Sequence, residues 1–236
     1  MTRARGSQIA GLAWTHASAF GGAVADRMSG SERRVRTDSV SPRQRRTRRW
    51  AAIGVLPMSW ITVTTSWMRR SLYATTDSRA MVVVRRRSLG TDVALITILA
   101  VGFVALFMLL QFGCVLLLRA GYPVAVALSQ CIAFAYLLLA LWLMIAAILM
   151  IWQGSASKSL AAVGPETPAG EHWVVESLAA RTAADGAAVF RLAVRTVRSM
   201  PAGRVLVAVA RTPELQAGYV KLGFTPGDHQ RVYSVA

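Results

Sequence analysis

Two uncharged runs decide the fold: VALITILAVGFVALFMLLQFGCVLLL, Val93 to Leu118, and VAVALSQCIAFAYLLLALWLMIAAILMIW, Val124 to Trp152. They hold 26 and 29 residues, where a hydrocarbon core of about 30 Å needs only ~20 in a helix. A helix in a soluble core keeps a polar face, and these runs have none. Between them, Arg119-Ala-Gly-Tyr-Pro123 offers a cation at a helix end, a glycine exit and a helix-stopping proline. The expected element is therefore an α-helical transmembrane hairpin over 92–152, with spans at 93–118 and 124–152. Gln111 and Gln130 are its only side-chain amides. A hydrogen bond across the helix pair is their expected use, worth roughly 0.6 kcal/mol. With no ionisable group inside either run, a transport path is not expected.

Composition agrees. The apolar share is 54% and the mean hydropathy +0.44, above the roughly 45–50% apolar share of soluble domains. The net charge of +16 is uneven, since 17 arginines stand against four acids before Asp92, or +13. Such an excess suits phosphates, of anionic lipid or of nucleic acid. Nucleic acid is not expected, because the arm lacks interleaved aromatics after Trp50 and any recognisable DNA-binding module. Arg85, Arg86 and Arg87 stand close to the bilayer entry and are expected to meet anionic lipid. The histidines at 16, 172 and 229 have no metal-ligand spacing to one another or to an acid or thiol, so no metal site is expected.

Outward from the hairpin, residues 1–50 read as a disordered, Arg-rich arm and 51–91 as a basic juxtamembrane segment. Within the latter, IGVLPMSWITVTTSW is too short to span and could lie at the interface through Trp60 and Trp67, with Arg69 and Arg70 at headgroup level. Arg79, Arg85, Arg86 and Arg87 precede the first span and Lys158 follows the second, against Arg119 alone in the loop. Both termini are therefore expected in the cytoplasm.

Residues 153–170 read as a Ser, Gly, Ala and Pro linker. After it HWVVESLAA is strand-like, GAAVFRLAVRTVRSM helix-like, RVLVAVA strand-like and PELQAGYVKLGF helix-like. This order predicts a small α/β layer domain over 171–236. Thr212 and Pro213 suit a helix start, and Gly223 suits the left-handed exit that turns Phe224 back into a core.

This tail resembles the second half of a GNAT-family N-acetyltransferase, in which a strand leads to a pyrophosphate-binding loop and helix, then a strand, then a helix ending in Tyr-x-x-x-Gly-Phe. Tyr219, Gly223 and Phe224 match that last motif, and Trp173 to Ala179 resembles the strand before the loop. The resemblance implies acetyl-CoA as donor, with its pyrophosphate on RTAADG through Arg181, Ala184 and Gly186. Ala184 stands where the family places a glycine, and Asp185 brings an anion beside phosphates. Aligned without a gap, Asp185 falls on the family's arginine, and Ala188 and Phe190 fall on the loop glycines. It also implies Glu176 as general base and Tyr219 as general acid, both reaching the thioester beside a splayed strand. The family's first half has no counterpart in this reading, so activity would require a partner subunit to supply it. The alternative is a non-catalytic two-span protein acting through helix association, its basic arm and its soluble tail.

Overall fold

The computed structural model describes residues 3–28, 42–86, 89–152, 162–210 and 213–235. The chain forms two compact units, one of Ser88–Ile145 and one of Met1–Arg87 with Ala146–Ala236.

The first unit holds α3 (Leu89–Arg119) and most of α4 (Val124–Trp152). Their apolar stretches, Thr97–Arg119 and Val124–Leu149, have mean hydropathies of 2.5 and 2.7. By length and composition both are able to cross a membrane, and almost none of their side chains is buried. The turn closes as a glycine C-cap: Gly121 takes φ +88°, and the Tyr122 N–H donates to the Leu117 carbonyl at 3.1 Å. Tyr136 packs against Phe103 and Phe107 with ring centroids 4.8 and 4.9 Å away. Gln111 bonds across the pair, but to Ser129 and not to Gln130: the Ser129 hydroxyl donates to its Oε1 at 2.5 Å, and its Nε2 donates to the Ser129 carbonyl at 3.2 Å. Gln130 is exposed.

The second unit is a six-stranded mixed sheet with helices, and it uses the N-terminal third of the chain. α1 (Ile9–Met28) and α2 (Pro42–Met68) lead into β1 (Leu72–Ala74) and β2 (Ala80–Arg86). Past the hairpin come β3 (His172–Ala180), α5 (Gly186–Arg198), β4 (Val205–Val209), α6 (Pro213–Lys221), β5 (Thr225–Pro226) and β6 (Arg231–Val235). The sheet order is β1-β2-β3-β4-β6-β5, parallel only between β3 and β4. One face carries Leu72, Met81, Val83 and Ala179 against Leu12 and Ala13 of α1. The other carries Val82, Val84, Val175, Leu206 and Ala208 against Ala193 of α5 and Tyr219 of α6. Strand alternation sorts these side chains, since neighbours along a strand face opposite ways.

This arrangement corrects three expectations. Residues 9–28 and 42–50 are helical, not a disordered arm, and the second helix runs on to Met68; residues 29–41 lie outside the described residues. The small residues that look like linker composition let the two helices touch. Ala17, Val24, Ala52 and Val55 form a buried cluster between them, and an added Cβ on Gly21 would lie 2.5 Å from Ala52 Cα. Residues 80–86 are a sheet strand, not a juxtamembrane segment, because AMVVV is buried on both faces. The sheet of the tail extends into the N-terminal third of the same chain, since β2 pairs with β3 from Ala80↔Ala180 to Arg86↔Trp173. Part of the linker is also packed: Ala162 is buried, and Glu166 accepts from Arg231 Nε at 2.6 Å and Nη2 at 3.2 Å. Residues 153–161 lie outside the described residues.

Candidate functional site

The feature that breaks the sheet's regularity is the β3–β4 seam. The two parallel strands pair only at His172↔Val205, Trp173↔Leu206 and Val174↔Val207. Beyond Val174, β3 continues to Ala180 beside β2, while β4 continues to Val209 beside β6. The strands therefore part at their carboxyl ends, the edge at which open α/β sheets bind ligands.

A bulge stands at the parting. Val83 pairs with Ser177 and Val84 with Val175, leaving Glu176 as the extra residue of β3. A bulge bends its strand, strengthens the local twist and re-aims a side chain. The Glu176 carboxylate is held by the Arg85 guanidinium in a close ion pair, with both side chains largely buried. Alternation sets Arg85 on the same face as Val83, so this pair lies on the face opposite Val84 and Val175.

On the other face, the sheet, α5 and the end of α6 line a small apolar cleft, with room of about 40 Å³, that opens to solvent. Val84, Val175, Val194, Tyr219, Leu222 and Phe224 line it, with Arg198 at its edge. Tyr219 is buried, T-shaped against Phe224 at 5.4 Å and against Phe190 at 6.4 Å. Burial pushes its phenol well above the ordinary value, so it stays protonated at neutral pH. The ending of α6 holds it there: Gly223 takes φ +91°, and the Phe224 N–H donates to the Tyr219 carbonyl at 3.1 Å. This is a Schellman closure, which returns the residue after the glycine to the core. Thr212, the expected cap at the other end of α6, lies outside the described residues.

Arg181, Ala184 and Gly186 fall in the turn from β3 to α5. Arg181 and Ala184 are exposed, and the Arg181 N–H donates to the Arg79 carbonyl at 2.8 Å. An added Cβ on Gly186 would meet nothing within 4 Å, so packing does not demand glycine there. The Asp185 carboxylate accepts from the Thr182 hydroxyl at 2.7 Å and from its N–H at 3.1 Å. The turn thus carries its own anion at the helix start, where a phosphate would otherwise be favoured.

The five residues singled out from sequence therefore fall in two places. Glu176 and the Arg181–Gly186 turn sit on β3 and at its end, whereas Tyr219 sits in the cleft on the opposite face from Glu176. The sequence reading missed the Arg85 partner of Glu176 and missed Arg198. Period-two alternation through Val83, Val84 and Arg85 was the signal for the first; none existed for the second. Arg85, one of the cations expected to meet lipid, is paired with Glu176. Arg86 keeps a mostly exposed side chain beside Glu171, with Nε 3.2 Å from its carboxylate, and Arg87 lies outside the described residues. Among the described residues no three His, Cys, Asp or Glu side chains could hold a metal ion.

Comparison of the chain with protein-family models, curated proteins and solved structures gave no match.

Proposed function

We propose that the chain is a membrane-anchored N-acetyltransferase of the GNAT type, with acetyl-CoA as donor and its sheet unit facing the cytoplasm. The observation that carries this reading is the parting of β3 and β4 beyond Val174 and Val207, beside the bulge at Glu176. The resemblance implies such a splayed strand ahead of the cofactor turn. Support also comes from α1, α2, β1 and β2, which extend the tail's sheet within one chain.

On this reading the slender thioester arm of the donor enters at the opening between β3 and β4, beside the small apolar cleft. At the phosphate end Arg181 and the start of α5 favour it and Asp185 opposes it. Bound acetyl-CoA supplies an acetyl group activated as a thioester. Glu176 takes the proton of the acceptor amine, and the Tyr219 hydroxyl gives its proton at the leaving-group position. Because the two lie on opposite faces of the sheet, they serve one reaction only at the opening.

The test is acetyl-CoA titration and amine acetylation with the full chain in nanodiscs. Tyr219→Phe is expected to keep donor binding and fold while lowering transfer roughly 10²-fold, the contribution of one general acid. Absence of donor binding would sink the reading. A second reading, a non-catalytic two-span protein, is favoured by the hold of Arg85 on Glu176 and by Asp185 in the turn; donor binding without transfer to any amine would support it.

The anchor is α3 and α4, whose apolar side chains are exposed along both helices. Such surfaces far exceed the apolar patches that monomers leave in water, and lipid covers them. Pairing of Arg86 with Trp173 ties both ends of the hairpin to one side of any bilayer, so the number of crossings is even. Arg79, Arg85, Arg86, Arg87 and Lys158 against Arg119 select the cytoplasm for that side. A cysteine replacing Tyr122 is expected to react with an impermeant reagent in intact cells, and one replacing Ala236 is not. The reverse pattern overturns the topology.

A further inference from the structure

We infer that α2 lies in the plane of an anionic bilayer surface, with the face bearing Trp60 and Trp67 in the lipid, so that the candidate site works beside the membrane. This rests on the reading of α3 and α4 as spans and extends it to a surface that the spans do not explain.

α2 has two apolar faces, and its main protein neighbour, α1, covers only one of them. Ala52, Val55, Pro57, Ser59, Val63 and Ser66 are buried; all but Pro57, which lies between Ile53 and Trp60, recur at spacings of three and four that keep them on one side of a helix. That side packs on α1, where Val55 and Ala52 join Ala17 and Val24. The outward side is equally apolar. At about 100° per residue, positions seven apart are nearly in line, which aligns Ile53, Trp60 and Trp67, while Met68 lies about a quarter-turn further round. Trp60, Trp67 and Met68 are 42%, 38% and 53% exposed, and Trp50 is 61% exposed near the start of the helix. A helix facing only water carries polar residues there.

The ends of the helix say what covers this face. Arg43, Arg45, Arg46, Arg48 and Arg49 precede the stripe and Arg69 and Arg70 follow it, with no acid from Pro42 to Arg70. Tryptophans flanked by arginines match the interfacial belt, where rings sit at headgroup level and cations meet lipid phosphates. Each arginine near an anionic surface adds attraction, and seven are present. Leu149, in the part of α4 that belongs to this unit, packs in the same cluster as Ala52 and Val55. The chain leaving the second apolar run therefore abuts α2. An acidic protein would bury tryptophans and meet arginines as well; cations at both ends of the tryptophan stripe, with no acid between them, favour the lipid interface.

The test places single nitroxide labels on the full chain in nanodiscs of phosphatidylcholine and phosphatidylserine, with Cys114 and Cys131 replaced by alanine. Labels go on Trp60→Cys, on Met68→Cys, which keeps both tryptophans, on Lys221→Cys as a water reference and on Leu109→Cys within the hairpin. Labels at 60 and 68 are expected ~5–10 Å below the phosphates, the depth of an interfacial helix, with high collision rates for oxygen and low rates for a water-soluble relaxant. If they match Lys221 while Leu109 reads hydrocarbon, the inference alone fails. If Leu109 also reads water, the membrane reading fails with it. Shielding of 60 and 68 from both relaxants shows a protein on this face and overturns lipid contact.

Discussion

Gly21→Ala is expected to destabilise the sheet unit by about 3 kcal/mol, at the upper end of overpacking costs, while Gly22→Ala one residue later stabilises it by up to ~1 kcal/mol. The chemical change is the same, and helix propensity favours alanine at both sites. The surroundings differ. A Cβ on Gly21 would lie 2.5 Å from Ala52 Cα, 2.8 Å from the Ala51 carbonyl carbon and closer still to the Ala52 nitrogen. These are backbone atoms of α2, which no rotamer change can move. α1 and α2 must separate, and the cluster of Ala17, Val24, Ala52 and Val55 opens with them. On Gly22 the Cβ meets nothing within 4 Å, so only the propensity gain remains. Chemical denaturation of both variants in detergent checks this. Equal midpoints for the two would refute the close crossing of α1 and α2.

Acidification is the second large effect, and it also acts between these helices. His16 is buried, stacked on Phe20 with centroids 4.2 Å apart, and its Nδ1 lies 3.0 Å from the Ser59 hydroxyl oxygen. Burial lowers its pKa from 6.5 to about 4, because the imidazolium loses its water without gaining a carboxylate. Between these values the unfolded chain binds the proton and the folded chain does not. Stability is therefore fully present above pH ~6.5 and falls as the pH drops toward 4, by about 3 kcal/mol in all. His16→Gln cannot titrate and still reaches Ser59 as a donor or acceptor. Its stability should lose this slope, so the difference between the two curves isolates His16 from the carboxylates that titrate near pH 4. Parallel curves for the two proteins would show that His16 is solvated in the folded state.

Legibility followed the size of the local signal. The two apolar runs carried no polar position that another reading could use, and α3 and α4 occupy them. HWVVESLAA and RVLVAVA alternate or run apolar between turn residues, and both are strands. By contrast, α1 is rich in Ala and Gly, and its stretch reads as part of a disordered arm when the partner helix is unseen. The first turns of α2 carry the arginines, and most of those side chains pack against nothing that a sequence pattern could announce. β2 ends in Arg85 and Arg86, of which Arg85 pairs with Glu176. β5 and β6 were too short and polar to announce a hairpin. A practical consequence is that a fragment starting near residue 165 strips β2 from β3 and bares its edge, so the full chain is the proper object of a binding assay.

At the site, Tyr219 and Gly223 were legible because a capped helix with an aromatic return is a local pattern, written within six residues. The parting of β3 from β4 was not, since it depends on strands separated by a helix and on a bulge that exists only when β2 is present. The sequence by itself determined the hairpin, the order of the tail and the charge asymmetry, all of which follow from short-range periodicity and composition. Only the tertiary structure decided that the N-terminal third belongs to the sheet, that Glu176 answers to Arg85, and that Trp60 and Trp67 face outward. Those three depend on pairings across tens of residues: Glu176 lies 91 residues from Arg85. Burial of small side chains against one another rewards such pairings only once both partners are folded.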